Sequence, residues 1–257
     1  MTVRAAQGAH GLRGPLAARA VVLDTDGVIT DSAGLHATAW KAAFDAYLRD
    51  HPPPDPARRG PFDATEEYLR YVDGRSRLDG AAAFLASRGL RPSPATAEAV
   101  AAEKERVFTQ RLGDQGVAAH PDAVRLLHAL RRAAIPVAAA SASRHARELL
   151  TSAHVLHLFD ALVDGVEAHR LGLPGKPDPA LFLEAARRLG TPPGGCAVVE
   201  DSLAGVEAAR RGGFGLVIGV DRGGGPGTGD ALRRHGADIV VHDLAELLAD
   251  SHEGAPS

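Results

Sequence analysis

Apolar residues along this chain fall into two rhythms. Short unbroken runs bounded by Gly, Asp or Pro recur at 20–24, 135–140, 161–163, 196–199, 215–219 and 238–241. Runs of that length and continuity predict strands buried on both faces. Between most of them the apolar positions take helical spacing. "PDAVRLLHALRRA" (121–133) puts Val124, Leu127 and Leu130 on one face. "DPALFLEAARRLG" (178–190) opens with acid and proline and closes on Gly190, and "DSLAGVEAARRGG" (201–213) stops at Gly212. Strands alternating with helices predict an α/β fold built on a doubly wound parallel sheet.

One interval breaks the alternation. Between the first two strands there is room for about four further helices. Ser32 stands ready to cap a helix over Ala33–Asp50, with Leu35, Ala39, Trp40, Ala43, Phe44 and Tyr47 as its apolar stripe. "HPPPDPARRGP" (51–61) predicts a loop, and Asp63 with Glu66 a capping-box-like start for a second helix. A third is expected over 79–89, and a fourth from Ser93-Pro94 to Leu112, before Gly113. Residues 32–112 are therefore expected to form a helical cap over the C-terminal end of the first strand, where open α/β sheets bind ligands. The core is then 19–31 with 113–249. The Gly-rich "DRGGGPGTGD" (221–230) is expected as a surface loop. Residues 1–18 and 250–257 are expected as disordered ends, since the N-terminal stretch has arginines but no sustained apolar region.

Composition narrows the partners. The 257 residues are 45% hydrophobic, enough for one large core plus a small domain. A net charge of −3 provides no basic field for nucleic acid or anionic membrane. The single cysteine, Cys196, allows no internal disulfide and suits a reducing cytosol. No apolar run has the length to span a bilayer, and no large apolar patch argues for more than a monomer.

The chemistry is concentrated at strand ends. "VVLDTDGVIT" (21–30) ends an apolar run in Asp24 and Asp26, which point the same way from an extended chain. Close together they repel unless a cation intervenes, and hard oxygen ligands suit Mg²⁺. "CAVVEDS" ends another run in a second acidic pair, Glu200-Asp201. Lys176, in "LPGKPDP", is the candidate balancing cation. That segment is not a P-loop, because Pro177 follows the lysine where Ser or Thr is required. "VAAASASRH" places Ser141 and Ser143 at a strand-to-helix turn, where hydroxyls and free N–H groups suit a phosphate. Such a set permits Asp24 to attack phosphorus while Asp26 handles the proton.

Four elements, "DTDGV", strand-terminal "SAS", "GKPDP" and "VVEDS", together resemble the haloacid dehalogenase (HAD) superfamily over nearly all of residues 20–245. The resemblance implies its Rossmann-like core. It implies Asp24 as nucleophile, Asp26 as acid/base, and Mg²⁺ held by Asp24, the Asp26 carbonyl and Asp201, with Glu200 beside them. Ser141, Ala142 and Ser143 of the serine motif, with Lys176, would hold the transferring phosphoryl group. Leu23 departs from a frequent Phe, a change of packing alone.

The cap resembles that of the β-phosphoglucomutase-like family. The carrying segments are "DGVITDSAGLHATAWKAAF" (26–44), with His36 and Trp40, "VDGRSRLDG" (72–80), with Gly74 and Arg77, and "EKERVF" (103–108), with Lys104. The resemblance implies Arg77 and Lys104 as ligands of a second, non-reacting phosphate, and His36 as a residue that helps set Asp26. Arg144 and His145 depart from the Lys and Asn that such mutases often carry. The expected substrate is a small-molecule sugar phosphate. The expected reaction is Mg²⁺-dependent interconversion of β-glucose 1-phosphate and glucose 6-phosphate. A phosphatase acting on small sugar or polyol phosphates stands as the alternative, because it needs only one phosphate site and a path for water. A catalytically idle binding module is opposed by intact Asp24, Asp26 and Lys176. A receiver domain is opposed by the long cap.

Overall fold

The computed structural model describes residues 18–223, 225 and 227–248. The expected disordered ends lie outside them except for Ala18. Six strands form at the predicted runs: β1 (Ala20–Leu23), β2 (Val137–Ala140), β3 (Ala161–Val163), β4 (Cys196–Glu200), β5 (Leu216–Val220) and β6 (Ile239–Val241). The first four helices are α1 (Ala33–Asp50), α2 (Glu66–Tyr71), α3 (Arg77–Ser87) and α4 (Pro94–Gln115). The next three are α5 (Pro121–Arg132), α6 (Ala146–Ser152) and α7 (Gly165–Leu171). The last three are α8 (Ala180–Arg188), α9 (Leu203–Arg211) and α10 (Thr228–His235).

All strand pairs are parallel, in the order β3-β2-β1-β4-β5-β6. β1 lies inside the sheet because its two faces are both apolar. Val21 and Leu23 pack with Leu126, Leu127 and Leu130 of α5 and Leu150 of α6. Ala20 and Val22 face Phe182 and Ala185 of α8, Val206 of α9 and Leu232 of α10. Strand order reverses across β1 and β4, which opens a crevice beyond their C-terminal ends. Both acidic pairs stand there.

α1 to α4 have a core of their own. Phe44 is fully buried, with ring centroids 4.9 Å from Trp40, 4.9 Å from Phe62 and 4.1 Å from Phe84. Arg88 pins the loop before α2. It donates to the carbonyls of Arg58 (2.8 Å), Gly60 (2.9 Å) and Pro61 (3.2 Å) and to Glu67 Oε2 (2.6 Å). The cap rests on the core where Ala39, Phe108 and Leu112 meet Leu149 of α6.

Several expected boundaries move. α4 runs through Gly113 to Gln115 and ends at Gly116, whose φ of +65° closes it. α3 begins at Arg77 because Ser76 Oγ accepts from Asp79 N. The loop expected over 221–230 gives way to α10 from Thr228. α6 and α7, of seven residues each, are too short for a periodic signal. Ser32 is the N-cap of α1, but its hydroxyl makes no cap bond and turns to the site instead.

Candidate active site

The β1 ladder carries Asp24 into place. Its N–H continues the sheet, donating to Val199 O at 2.9 Å. Asp26 N then donates to Asp24 Oδ2 at 2.9 Å, which ties the two acids together. Gly27 follows at φ +78°, and a Cβ there would stand 1.9 Å from Asp201 Oδ2. Only glycine lets the Asp201 carboxylate lie against this turn.

Lys176 sits at the centre, 2% exposed. Its Nζ donates to Asp24 Oδ1 at 2.5 Å and to Glu200 Oε1. Burial alone lowers a lysine, but the Asp24 and Glu200 carboxylates outweigh it and hold Lys176 protonated. Glu200 is fully buried, and its second oxygen accepts from Ser202 N at 2.6 Å. Its placement is that of an anchor for the lysine, beside Asp201. Burial raises Asp24 first, Lys176 opposes, and the Glu200 and Asp26 charges add to the rise.

Asp26 is held differently. Its Oδ1 accepts from Ser32 Oγ at 2.5 Å and faces His36 Nε2 at 3.1 Å, and its Oδ2 accepts from Ser141 Oγ at 3.2 Å. Burial pushes this carboxyl up, but His36, the hydrogen bonds and the Lys104 charge hold it well below the usual range. Burial lowers His36, and the Asp26 charge opposes it. Ser143 N donates to Ser141 Oγ at 3.0 Å, and Ser143 Oγ accepts from His145 N at 3.2 Å. The serine motif is thus a bonded turn beneath the acids.

A cavity lies between this edge and the cap. It is lined from the core by Asp24, Asp26, Ala142, Ser143, Lys176, Glu200 and Asp201. From the cap it is lined by His36, Trp40, Gly74, Arg77 and Lys104. Ser141 reaches the site through its bonds to Asp26 and Ser143. Gly74 has φ +69°, and a Cβ there would meet Ser202 Oγ at 2.1 Å, so the cap loop sits directly on the core. Lys104 is 4% exposed, over the rings of Phe108 (4.3 Å) and Trp40 (5.9 Å). Burial pushes it down to about 8, against the pull of Glu105 and Asp26. Arg77 makes no hydrogen bond or ion pair through its side chain among the described residues.

Asp73 and Tyr68 are among the lining residues that the sequence reading did not single out. Asp73 is raised by burial and then by Glu200, and it is the leading charge that raises Asp201. An acid in "VDGRSR" was the available signal, but its partners lie over a hundred residues away.

The acids fit a divalent cation. Burial and mutual repulsion raise Asp24, Asp73 and Asp201 together, and Lys176 is one charge shared among them. Hard oxygen donors short of positive charge suit Mg²⁺. No group of three or more His, Cys, Asp or Glu side chains is gathered for a metal among the described residues. A site of two carboxylates and a carbonyl contains no such group.

Comparison with known proteins follows the same lines. The family model for haloacid dehalogenase-like hydrolases matches residues 18–213. A protein of Mycobacterium bovis named β-phosphoglucomutase is 41% identical over 243 residues, covering 91% of this chain and 93% of its own. A trehalose-phosphate phosphatase of Mycobacterium leprae is 38% identical over 129 residues, which is 49% of this chain and 28% of that protein. The crystal structure of a hydrolase from Pseudomonas syringae superposes with a TM-score of 0.72 at 27% identity, over 89% of this chain and 95% of that one. No helix among the described residues is long and apolar enough to cross a membrane.

Proposed function

We propose, from the premise that this chain belongs to the haloacid dehalogenase-like hydrolase family, in its β-phosphoglucomutase-like branch, that it is a phosphomutase. The reaction is interconversion of β-glucose 1-phosphate and glucose 6-phosphate through β-glucose 1,6-bisphosphate. The observation that carries the reading is the second set of cations. Lys176 serves the reacting phosphoryl group at Asp24, while Lys104 and Arg77 line the cap side of the same cavity. A lysine this buried is costly without an anionic guest. A bisphosphate has one phosphate for each end.

In one direction Asp24 attacks phosphorus, the bond from phosphorus to the sugar oxygen breaks, and Asp26 gives that oxygen a proton. In the other, a sugar hydroxyl gives its proton to Asp26 and attacks the aspartyl phosphate. Asp26 held ionised by His36 and Ser32 suits the second role in the resting protein. Mg²⁺, when bound by Asp24, the Asp26 carbonyl and Asp201 beside Glu200, supplies positive charge for the carboxylates and the equatorial phosphoryl oxygens. Lys176 and the Ser141–Ser143 turn complete that electrostatic cradle. The cap excludes water from the intermediate. The proposed substrate is a small molecule, and the proposed working form is a cytoplasmic monomer.

A second reading, hydrolysis of a small sugar or polyol phosphate, draws on the partial match to a trehalose-phosphate phosphatase. One experiment separates them. The protein is incubated with Mg²⁺, β-glucose 1-phosphate and a trace of bisphosphate, and glucose 6-phosphate and free phosphate are followed together. Glucose 6-phosphate without matching phosphate is the expected outcome. Phosphate release without glucose 6-phosphate eliminates the mutase.

A further inference from the structure

Among the described residues two hydrogen-bonded ion pairs cross from cap to core. His36 with Asp26 belongs to the chemistry already described. The other joins Glu105 of α4 to His145 at the start of α6, apart from that chemistry. His145 Nε2 stands 2.5 Å from Glu105 Oε1, and its Nδ1 2.9 Å from Glu148 Oε2. A neutral imidazole has one N–H and can donate to one of these carboxylates only. Two carboxylates on two ring nitrogens therefore select the imidazolium.

The pair is wired to the cavity. Glu105 Oε2 lies 3.9 Å from Lys104 Nζ. The His145 ring centroid is 5.0 Å from Phe108, which stacks on His36 at 4.2 Å. His36 in turn faces Asp26 at 3.1 Å. Moving α4 away from α6 would disturb Lys104 and the ring stack together.

We propose that Glu105 and His145 form a clamp that holds the cap over Asp24 and positions Lys104, and that the clamp releases when His145 loses its proton. Its kinetic consequence rests on the phosphomutase reading; the clamp itself does not. The groups facing His145 are Glu105 and Lys104 from α4, Glu148 from α6 and, beyond Phe108, His36 from α1. The charge of Arg77 of α3 also acts on Glu105. The Glu105 bond raises His145, burial opposes, Glu148 adds, and Lys104 subtracts; the net direction is up. Opening the cap removes Glu105, so the ring titrates lower with the cap open than with it closed. The clamp is therefore complete below the open-cap value and is lost as pH rises through the higher closed-cap value.

The test needs no substrate. Trp40 is the lone tryptophan and lines the cavity, 4% exposed, so its quenching by acrylamide reports cap opening. His145 is followed in the same full-length protein by imidazole ¹⁵N NMR, assigned by the signal that His145→Gln removes. In wild type, quenching of Trp40 is expected to rise several-fold in step with His145 deprotonation. His145→Arg keeps a cation across the titration range and should flatten that rise. It retains His36 and Lys104, so any transition left over belongs to them. Glu105→Gln should show high quenching even below the His145 transition. Where turnover is measured, it should raise KM about tenfold with kcat little changed. Wild-type quenching that ignores the His145 titration, or Glu105→Gln quenching equal to wild type, overturns the clamp. The clamp result with no mutase turnover would instead overturn only the functional reading.

Discussion

Lys104→Met is the sharpest perturbation of the two-phosphate picture. Lys104 is 4% exposed, sits over two aromatic rings and has Glu105 at 3.9 Å as its nearest carboxylate. Methionine keeps most of the volume and removes the charge. A hydrogen bond from a charged group is worth about 1.5–3 kcal/mol, so loss of the contact to a distal phosphate should cost roughly 10- to 150-fold in kcat/KM. Turnover of β-glucose 1-phosphate is measured beside hydrolysis of a small aryl phosphate that has no second phosphate. The loss should fall on the first and spare the second. There is also a signature in pH. Burial holds this lysine at about 8, below its usual value, so the cation is present below that pH and lost above it. KM for the sugar phosphate should rise as pH passes about 8, and Lys104→Arg should carry the low KM to higher pH because a guanidinium stays charged. Equal losses on both substrates, or an unchanged KM in Lys104→Met, would refute the reasoning.

Three further outcomes are expected. Arg88→Ala strips four hydrogen bonds from a side chain 8% exposed, and thermal unfolding should show a loss of about 2–4 kcal/mol, with a Tm lower by about 5–15 °C. Gly27→Ala drives a methyl group into Asp201 at a φ of +78°, and titration of activity with Mg²⁺ should show a requirement at least about tenfold higher. Chelation should abolish turnover, and added Mg²⁺ should relieve the buried acids, stabilising the fold by about 2.7 kcal/mol at a hundred times its Kd and so raising Tm; a Tm indifferent to Mg²⁺ would count against the metal.

The core was legible because its physics is local. Each of the six strands is an apolar run, and β1 buries both faces so that no alternation masks it. Asp24, Asp26 and Glu200-Asp201 announce themselves as polar residues where such runs end, and Lys176 by its place in the turn "LPGKPDP". The cap was legible in outline. Its helix ends shifted because Ser76 rather than Asp79 starts α3, and because Gly113 is tolerated inside α4. What stayed hidden depends on pairs distant in sequence. Asp73 gains meaning only opposite Asp201, and Glu105 only opposite His145, 40 residues on. Ser32 looked like a plain cap because nothing local says its hydroxyl belongs to Asp26.

The central claim is that Asp24, charge-balanced by Lys176 and Mg²⁺, accepts a phosphoryl group. Rapid acid quench of the protein after mixing with glucose 1,6-bisphosphate, followed by peptide mass spectrometry, tests it directly. The expected result is a hydroxylamine-labile phosphoryl group on Asp24, absent from Asp24→Asn. A stable phosphate on Ser141 or His36, or an unmodified Asp24 in protein that is turning over, would contradict it.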